Sequence, residues 1–164
     1  MPNHIRDLHP SDGADAPHAT DPSGTIALRF TDPPGALLQF VRPARGTTEM
    51  AEWLTETGLT LLFARFPHVR DLRVILDMRQ MTGRSANARA VLIQAGMRCV
   101  GRVGHVVLVP SQLLGEAYLR VVEAGAALVR STGLCIDIEH DLSTVLARHA
   151  VRTACGEAPP RPSD

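Results

Sequence analysis

The residues best equipped for chemistry lie in the stretch VILDMRQMTGRSANARAVL, residues 74–92. It opens as an apolar, β-branched run and closes with apolar residues at helical spacing, so a strand leads through a polar turn into a helix. The turn carries two hydroxyls, Thr82 and Ser85, and the guanidinium groups of Arg79, Arg84 and Arg89 lie close in sequence. Ser85 falls where the helix opens, and there a hydroxyl can accept a hydrogen bond from a free backbone N–H and cap the helix. The same orphan N–H groups and the helix dipole attract anions, so a phosphate on Ser85 paired with neighbouring Arg side chains also fits. Cap and phosphoacceptor both stay open on these residues, with Thr82 as a second hydroxyl in the same turn.

Other chemistries are poorly served. Asp77 ends the strand, where open α/β sheets place their ligands. A receiver-type phosphoaspartate, however, needs further acidic residues for Mg²⁺ and a Lys. All 17 basic residues are Arg, which excludes that Lys, a phosphate-loop Lys and Schiff-base chemistry. Asp77 is therefore expected to be structural or a hydrogen-bond anchor. No G-x-S-x-G elbow, H-E-x-x-H pair, Walker loop or G-x-G-x-x-G turn is present, and GMRCVGRVG leads into a strand rather than a helix. His4, His9 and His18 fall near the N-terminus at irregular spacing, and His68, His105, His140 and His149 form no ligand pair. Cys99, Cys135 and Cys155 are odd in number without C-x-x-C spacing, so neither a disulfide framework nor a zinc site is expected. The expectation is a non-enzymatic chain with no metal and no cofactor.

The elements that must hold the turn follow from hydrophobic period. Residues 1–23 and 154–164 are rich in Pro, Asp, Gly or Ser and poor in large apolar side chains. They cannot bury enough to offset the entropy of ordering, so both are expected to be disordered tails around one domain of residues 24–153. Within it, Ile26, Leu28, Phe30, Leu38 and Phe40 alternate around DPPG, a β-hairpin pattern. Met50, Trp53, Leu54, Thr57 and Leu61 recur at helical spacing, with Gly58 weakening the middle. LRVILDM and HVVLVP are short, almost wholly apolar runs, the pattern of strands covered on both faces. Ala88, Val91, Leu92, Ala95 and Cys99 make one helical stripe. Ser111 is placed to cap a long third helix, residues 112–131, with Leu114, Ala117, Tyr118, Val121, Val122, Gly125, Leu128 and Val129 on one face. LCIDIEH reads as an edge strand, and Asp141 caps a last helix bearing Leu142, Val145, Leu146 and His149. The order is β-β-α-β-α-β-α-β-α. Strands alternating with helices imply right-handed crossovers, hence an α/β fold with a mostly parallel sheet and an antiparallel N-terminal hairpin strand.

That order, and the run from Val74 to Leu146, resembles the STAS domain of anti-sigma-factor antagonists and the looser SpoIIAA-like set of small bacterial domains. In such domains a strand ending in an acidic or Asn residue leads, after about eight residues, to a Ser opening the next helix; here these are Asp77 and Ser85. The family segment typically reads Asp-Ser-Ser-Gly, whereas the matching positions here are Arg84, Ser85, Ala86 and Asn87. The acidic residue has become Arg84, and the Gly is absent.

The resemblance implies a bacterial regulatory or scaffolding protein of signal transduction that acts through protein–protein binding. Its partner would be an anti-sigma factor, a kinase or another regulator, Ser85 the phosphoacceptor, and Thr82, Arg84, Asn87 and Arg89 part of the binding face. The residues themselves allow an alternative: a small-molecule or lipid-binding module with a pocket along the third helix, where Gly125, Ala126 and Ala127 are small. Eight Arg between Arg65 and Arg102 face two acids, and five acids between Glu116 and Asp141 face two Arg. Such complementary regions, or the stripe on the third helix, suit a homodimer or a charged partner. Zero net charge offers no case for nucleic acid. The absence of a signal-like or membrane-spanning run leaves a cytoplasmic location as the expectation.

Overall fold

A computed structural model describes residues 17–149 and the backbone of residues 152–153; the remainder of the two expected tails lies outside the described residues. The chain folds as α/β. Its main sheet runs β1(Ala19–Thr20), β2(Ile26–Asp32), β3(Gly35–Phe40), β5(Leu72–Asp77), β7(Val103–Val109), β8(Cys135–Ile138), with β9(Arg152–Thr153) also on β2. The pairs β3–β5, β5–β7 and β7–β8 are parallel, and the N-terminal pairs β1–β2 and β2–β3 are antiparallel. The period-2 hairpin and the two apolar runs thus land where their patterns require: the hairpin at one side, the apolar strands in the middle.

Three features depart from expectation. Residues 17–23 belong to the fold rather than to a tail. Ala19 pairs with Leu28, and the buried Asp21 carboxylate accepts from the Thr25 and Ile26 amides at 2.6 and 2.7 Å. That carboxylate closes the DPSG turn, which by composition alone looks like solvated chain. Second, the turn after β5 contains a short strand, β6(Met81–Arg84), parallel to β4(Ala44–Gly46) in a sheet of its own. Third, Ser111 does not cap the third helix. A 3₁₀ turn, Gln112–Leu114, intervenes before the helix at Gly115–Arg130, and the fully buried Ser111 hydroxyl makes no cap bond.

The helices divide between the two faces of the sheet. On one side α1(Thr48–Glu52) runs through a π-helical segment, Trp53–Gly58, into α2(Leu59–Arg65). The helix is continuous across Gly58, and the wider π turn is where the helical period breaks. The same side carries α3(Ala86–Arg98) and α4(Gly115–Arg130), over a core that includes Leu28, Leu38, Val74, Leu76, Val129 and Ile136. On α4 the buried residues are Val122, Ala126 and Val129. Ala117 and Leu128, read as part of that face, point to solvent, with Leu128 52% exposed. On the other side α5(Leu142–Arg148) buries Leu142 and Val145 against Leu37, Ile75, Val107 and Val109. Asp141 caps it by accepting from the Thr144 amide at 2.8 Å. At the hairpin, Gly35 has no alternative: a Cβ there would lie 2.1 Å from the Arg73 carbonyl oxygen of the neighbouring strand.

Candidate functional site

The expected site residues start from the end of β5. Asp77 is 1% exposed, and it is a hydrogen-bond anchor. One of its oxygens accepts from Arg79 Nε at 2.9 Å and the Arg79 amide at 3.2 Å; the other accepts from Arg79 Nη2 at 3.0 Å and Gln39 Nε2 at 2.8 Å. A bidentate pair of this kind fixes a guanidinium in one plane, so Arg79 is committed to Asp77 and is not available to Ser85.

Ser85 sits at the N-cap of α3 with extended backbone, φ −80° and ψ 155°, and its Oγ accepts from the Ala88 amide at 3.0 Å. Its own amide donates to the Gly46 carbonyl at 3.2 Å, because β6 is paired with β4. The Thr48 hydroxyl stands 3.5 Å from Ser85 Oγ. The hydroxyl therefore works as a cap. Thr82, Asn87 and Arg89 are exposed around it.

Arg84 behaves differently from the other arginines of the turn. It is half-buried, and its guanidinium carbon lies 5.2 Å from the centre of the Tyr118 ring on α4, within cation–π range. Burial holds the Arg84 guanidinium below its ordinary value, and nearby Arg89 acts in the same direction. Burial likewise raises the Tyr118 phenol. Arg84 Nη2 and the Tyr118 hydroxyl are both buried without a hydrogen-bond partner, and no carboxylate pairs with Arg84 among the described residues. Unpaired buried donors are expensive, at about 1–3 kcal/mol each and more when charged.

Arg84 also borders a cavity. Between the sheet, the π segment, α3 and α4 lies an apolar space of about 140 Å³. Its walls include Leu54 of the π segment, Leu76 of β5, Leu92 of α3, Val106 of β7, and Val122 and Val129 of α4, with Arg84 and Arg89 also lining it. Arg89 is exposed, so the cavity reaches solvent on the arginine side. The size compares with an engineered protein cavity of about 150 Å³ that stays dry and binds benzene. Gly96 on α3 and Gly125 on α4 also line it; a Cβ on Gly96 would lie 3.0 Å from Val129 Cγ1, so that glycine lets α3 and α4 approach closely.

The structure also gathers residues that are far apart in sequence. His105 on β7 pairs in register with Cys135 on β8, and His105 Nε2 lies 2.8 Å from Asp137 Oδ2. The ligating atoms of His105, Cys135 and Asp137 fall within 4.8 Å of one another, and the His149 ring stacks edge-on against His105 at 5.3 Å. Imidazole, thiol and carboxylate are a donor set a divalent transition metal accepts. The His–Asp hydrogen bond already satisfies two of the three. Sequence spacing shows none of this, because the grouping comes from parallel pairing of two strands joined by a long helix.

Of the expected site residues, the structure thus brings Arg84 and Arg89 together at a cavity and leaves Thr82 and Asn87 on the surface. Tyr118, read only as one member of a helical stripe, is the residue the sequence did not single out. Its place beside an Arg is visible only once α4 packs on α3.

No family model matches the chain, and no curated protein matches it in sequence. Among solved structures it is similar to an uncharacterized protein of the DUF3478 family with a SpoIIAA-like fold, from Shewanella loihica. Identity is 14% and the TM-score 0.51, over 75% of this chain and 90% of that one. The likeness concerns the fold, which agrees with the resemblance noted between Val74 and Leu146.

Proposed function

We propose that this chain, an α/β domain of SpoIIAA-like fold, is a non-enzymatic binding module that takes a small apolar ligand into the cavity between its sheet and helices α3 and α4. The single observation that carries this reading is the cavity itself, about 140 Å³ and walled by aliphatic side chains. Aliphatic walls around such a space leave apolar surface to shield, and an apolar ligand gains about 25 cal/mol for each Å² it removes from water there. No helix among the described residues is long and apolar enough to cross a membrane. The notion of a pocket along the third helix is the form of the sequence reading that the geometry supports best.

The test is titration of methyl-labelled protein with benzene and with hexanol. Shifts confined to Leu54, Leu92, Val122 and Val129 are expected. Methyl resonances that stay put at saturating benzene and hexanol would refute the reading.

A second reading has its own observation. Ser85 opens α3 on a surface that also carries Thr82, Asn87 and Arg89, the face by which a regulatory protein partner, such as an anti-sigma factor or kinase, would be held. Phosphorylation there would have to displace the Ser85 cap bond. Unaltered partner binding by both Ser85→Ala and Ser85→Glu would exclude a phospho-switch.

A further inference from the structure

We infer that the cavity's ligand is a monocarboxylic acid with an apolar body about the size of benzene, its carboxylate held by Arg84. This inference rests on the cavity reading above and names the chemistry of its mouth. Three observations converge on it. Arg84 lines the cavity and keeps Nη2 buried without an acceptor. Beside it stands the Tyr118 ring, 5.2 Å from the guanidinium carbon, whose own buried hydroxyl has no partner and is not paired with the guanidinium. The other charged group that lines the space is also a cation, Arg89.

A charged donor nitrogen buried without an acceptor is costly even on a half-buried side chain. It persists where something completes it, and what completes a planar fork of N–H donors is a planar pair of oxygens. A carboxylate supplies that pair and one negative charge against one buried positive charge. A phosphate monoester would bring up to two charges, of which one would meet Arg84 and the other only the exposed Arg89, whose pairing in water is weak. A neutral alcohol or ester oxygen could accept from Nη2 but would bring no charge to balance the guanidinium.

Tyr118 is a positioning residue. Its ring centre lies 5.2 Å from the guanidinium carbon, within cation–π range, and the ring helps hold the group at the cavity. Ligand specificity then divides by region: the aliphatic walls select size and the arginine selects charge.

The experiment compares hexanoate, methyl hexanoate and monohexyl phosphate on the purified full chain by calorimetry, with Arg84→Gln, Arg89→Gln and Tyr118→Phe beside wild type. For wild type, hexanoate is expected to bind at least about tenfold more tightly than its methyl ester. Arg84→Gln should erase that preference while leaving ester binding in place, and Arg89→Gln should retain most of it. Removing an unpaired buried charge should leave unliganded Arg84→Gln at least as resistant to urea as wild type; a marked loss would make Arg84 structural and overturn the assignment. Equal binding of acid and ester would overturn the inference and leave the apolar cavity reading standing. Tighter binding of the phosphate would also overturn it. Failure of all three ligands, with no methyl shifts from benzene, would remove both. A preference for hexanoate that survives Arg84→Gln would place the carboxylate elsewhere.

Discussion

Ala126 is the position at which the cavity can be tested without any ligand. It is buried on α4, lines the space, and is 3% exposed. Ala126→Leu adds three carbons there. If they enter empty volume, each contributes about 0.8 kcal/mol of transfer free energy, about 2.4 kcal/mol together. Fixing the Leu rotamer costs about 0.5–1 kcal/mol, so the variant should gain about 1.5 kcal/mol. In a chain of this size that is a Tm rise of about 3–6 °C, or about 0.7 M in urea midpoint at an m of about 2 kcal/mol/M. A close-packed interior predicts the opposite sign, because inserting methylenes costs about 1–3 kcal/mol. Urea unfolding at equal m decides it. A lowered midpoint would show that the space does not accept atoms, and the argument from packing would fail with it. A raised midpoint should come with lost benzene binding, since the Leu now occupies the site.

Three further outcomes follow from particular bonds. Ser85→Ala removes the acceptor for the Ala88 amide and should cost about 1 kcal/mol, read as a Tm fall of about 2–4 °C. Asp77→Ala strands the Gln39 amide and frees Arg79, which is 41% exposed in its side chain and can return to water. The loss should therefore be about 2–3 kcal/mol in urea unfolding, below the 3–5 kcal/mol typical of a fully buried pair. Stability should also fall with acid through the imidazoles. Burial, with Arg65 and Arg29 nearby, lowers His18, and burial lowers His149. His18 Nδ1 accepts from the Phe30 amide at 3.3 Å, which a protonated Nδ1 cannot do. A folded-state value below the unfolded one means stability that is complete above about pH 6.5 and is lost as pH falls through the folded value. His18→Gln should flatten that slope in urea midpoints measured from pH 7.5 to 5, and an unchanged slope would clear His18 of the effect.

The fold was legible where period and length were decisive. Ile26, Leu28, Leu38 and Phe40 alternate, and β2 and β3 pair with Leu28 opposite Leu38; LRVILDM and HVVLVP lack alternation, and β5 and β7 are central parallel strands. The misread elements are ones whose bonds are not periodic. Asp21 organises a turn through three amides that follow it, those of Ser23, Thr25 and Ile26, and composition sees only a Pro-Ser-Gly stretch. Ser111 has the residue type of a cap, but a 3₁₀ turn places the start of α4 at Gly115, with φ 72°, where a left-handed conformation favours Gly.

The candidate site was half legible for a related reason. Ser85 as a helix opener needs only local sequence, and the cap is there. Arg84 needs knowledge of what lies across from it. Read along the chain, it is an acidic position that has become basic, a departure that weakens a phosphoacceptor motif. Packed into the fold, the same side chain rests on Tyr118, 34 residues away, and turns an unpaired buried donor toward the cavity edge. An acid at that position would meet no cation from Asp77's partner, since Arg79 is already held in a bidentate pair. The chemistry proposed for this turn therefore rests on the half-buried Arg84 guanidinium at the cavity edge, because the Ser85 hydroxyl is committed to capping α3.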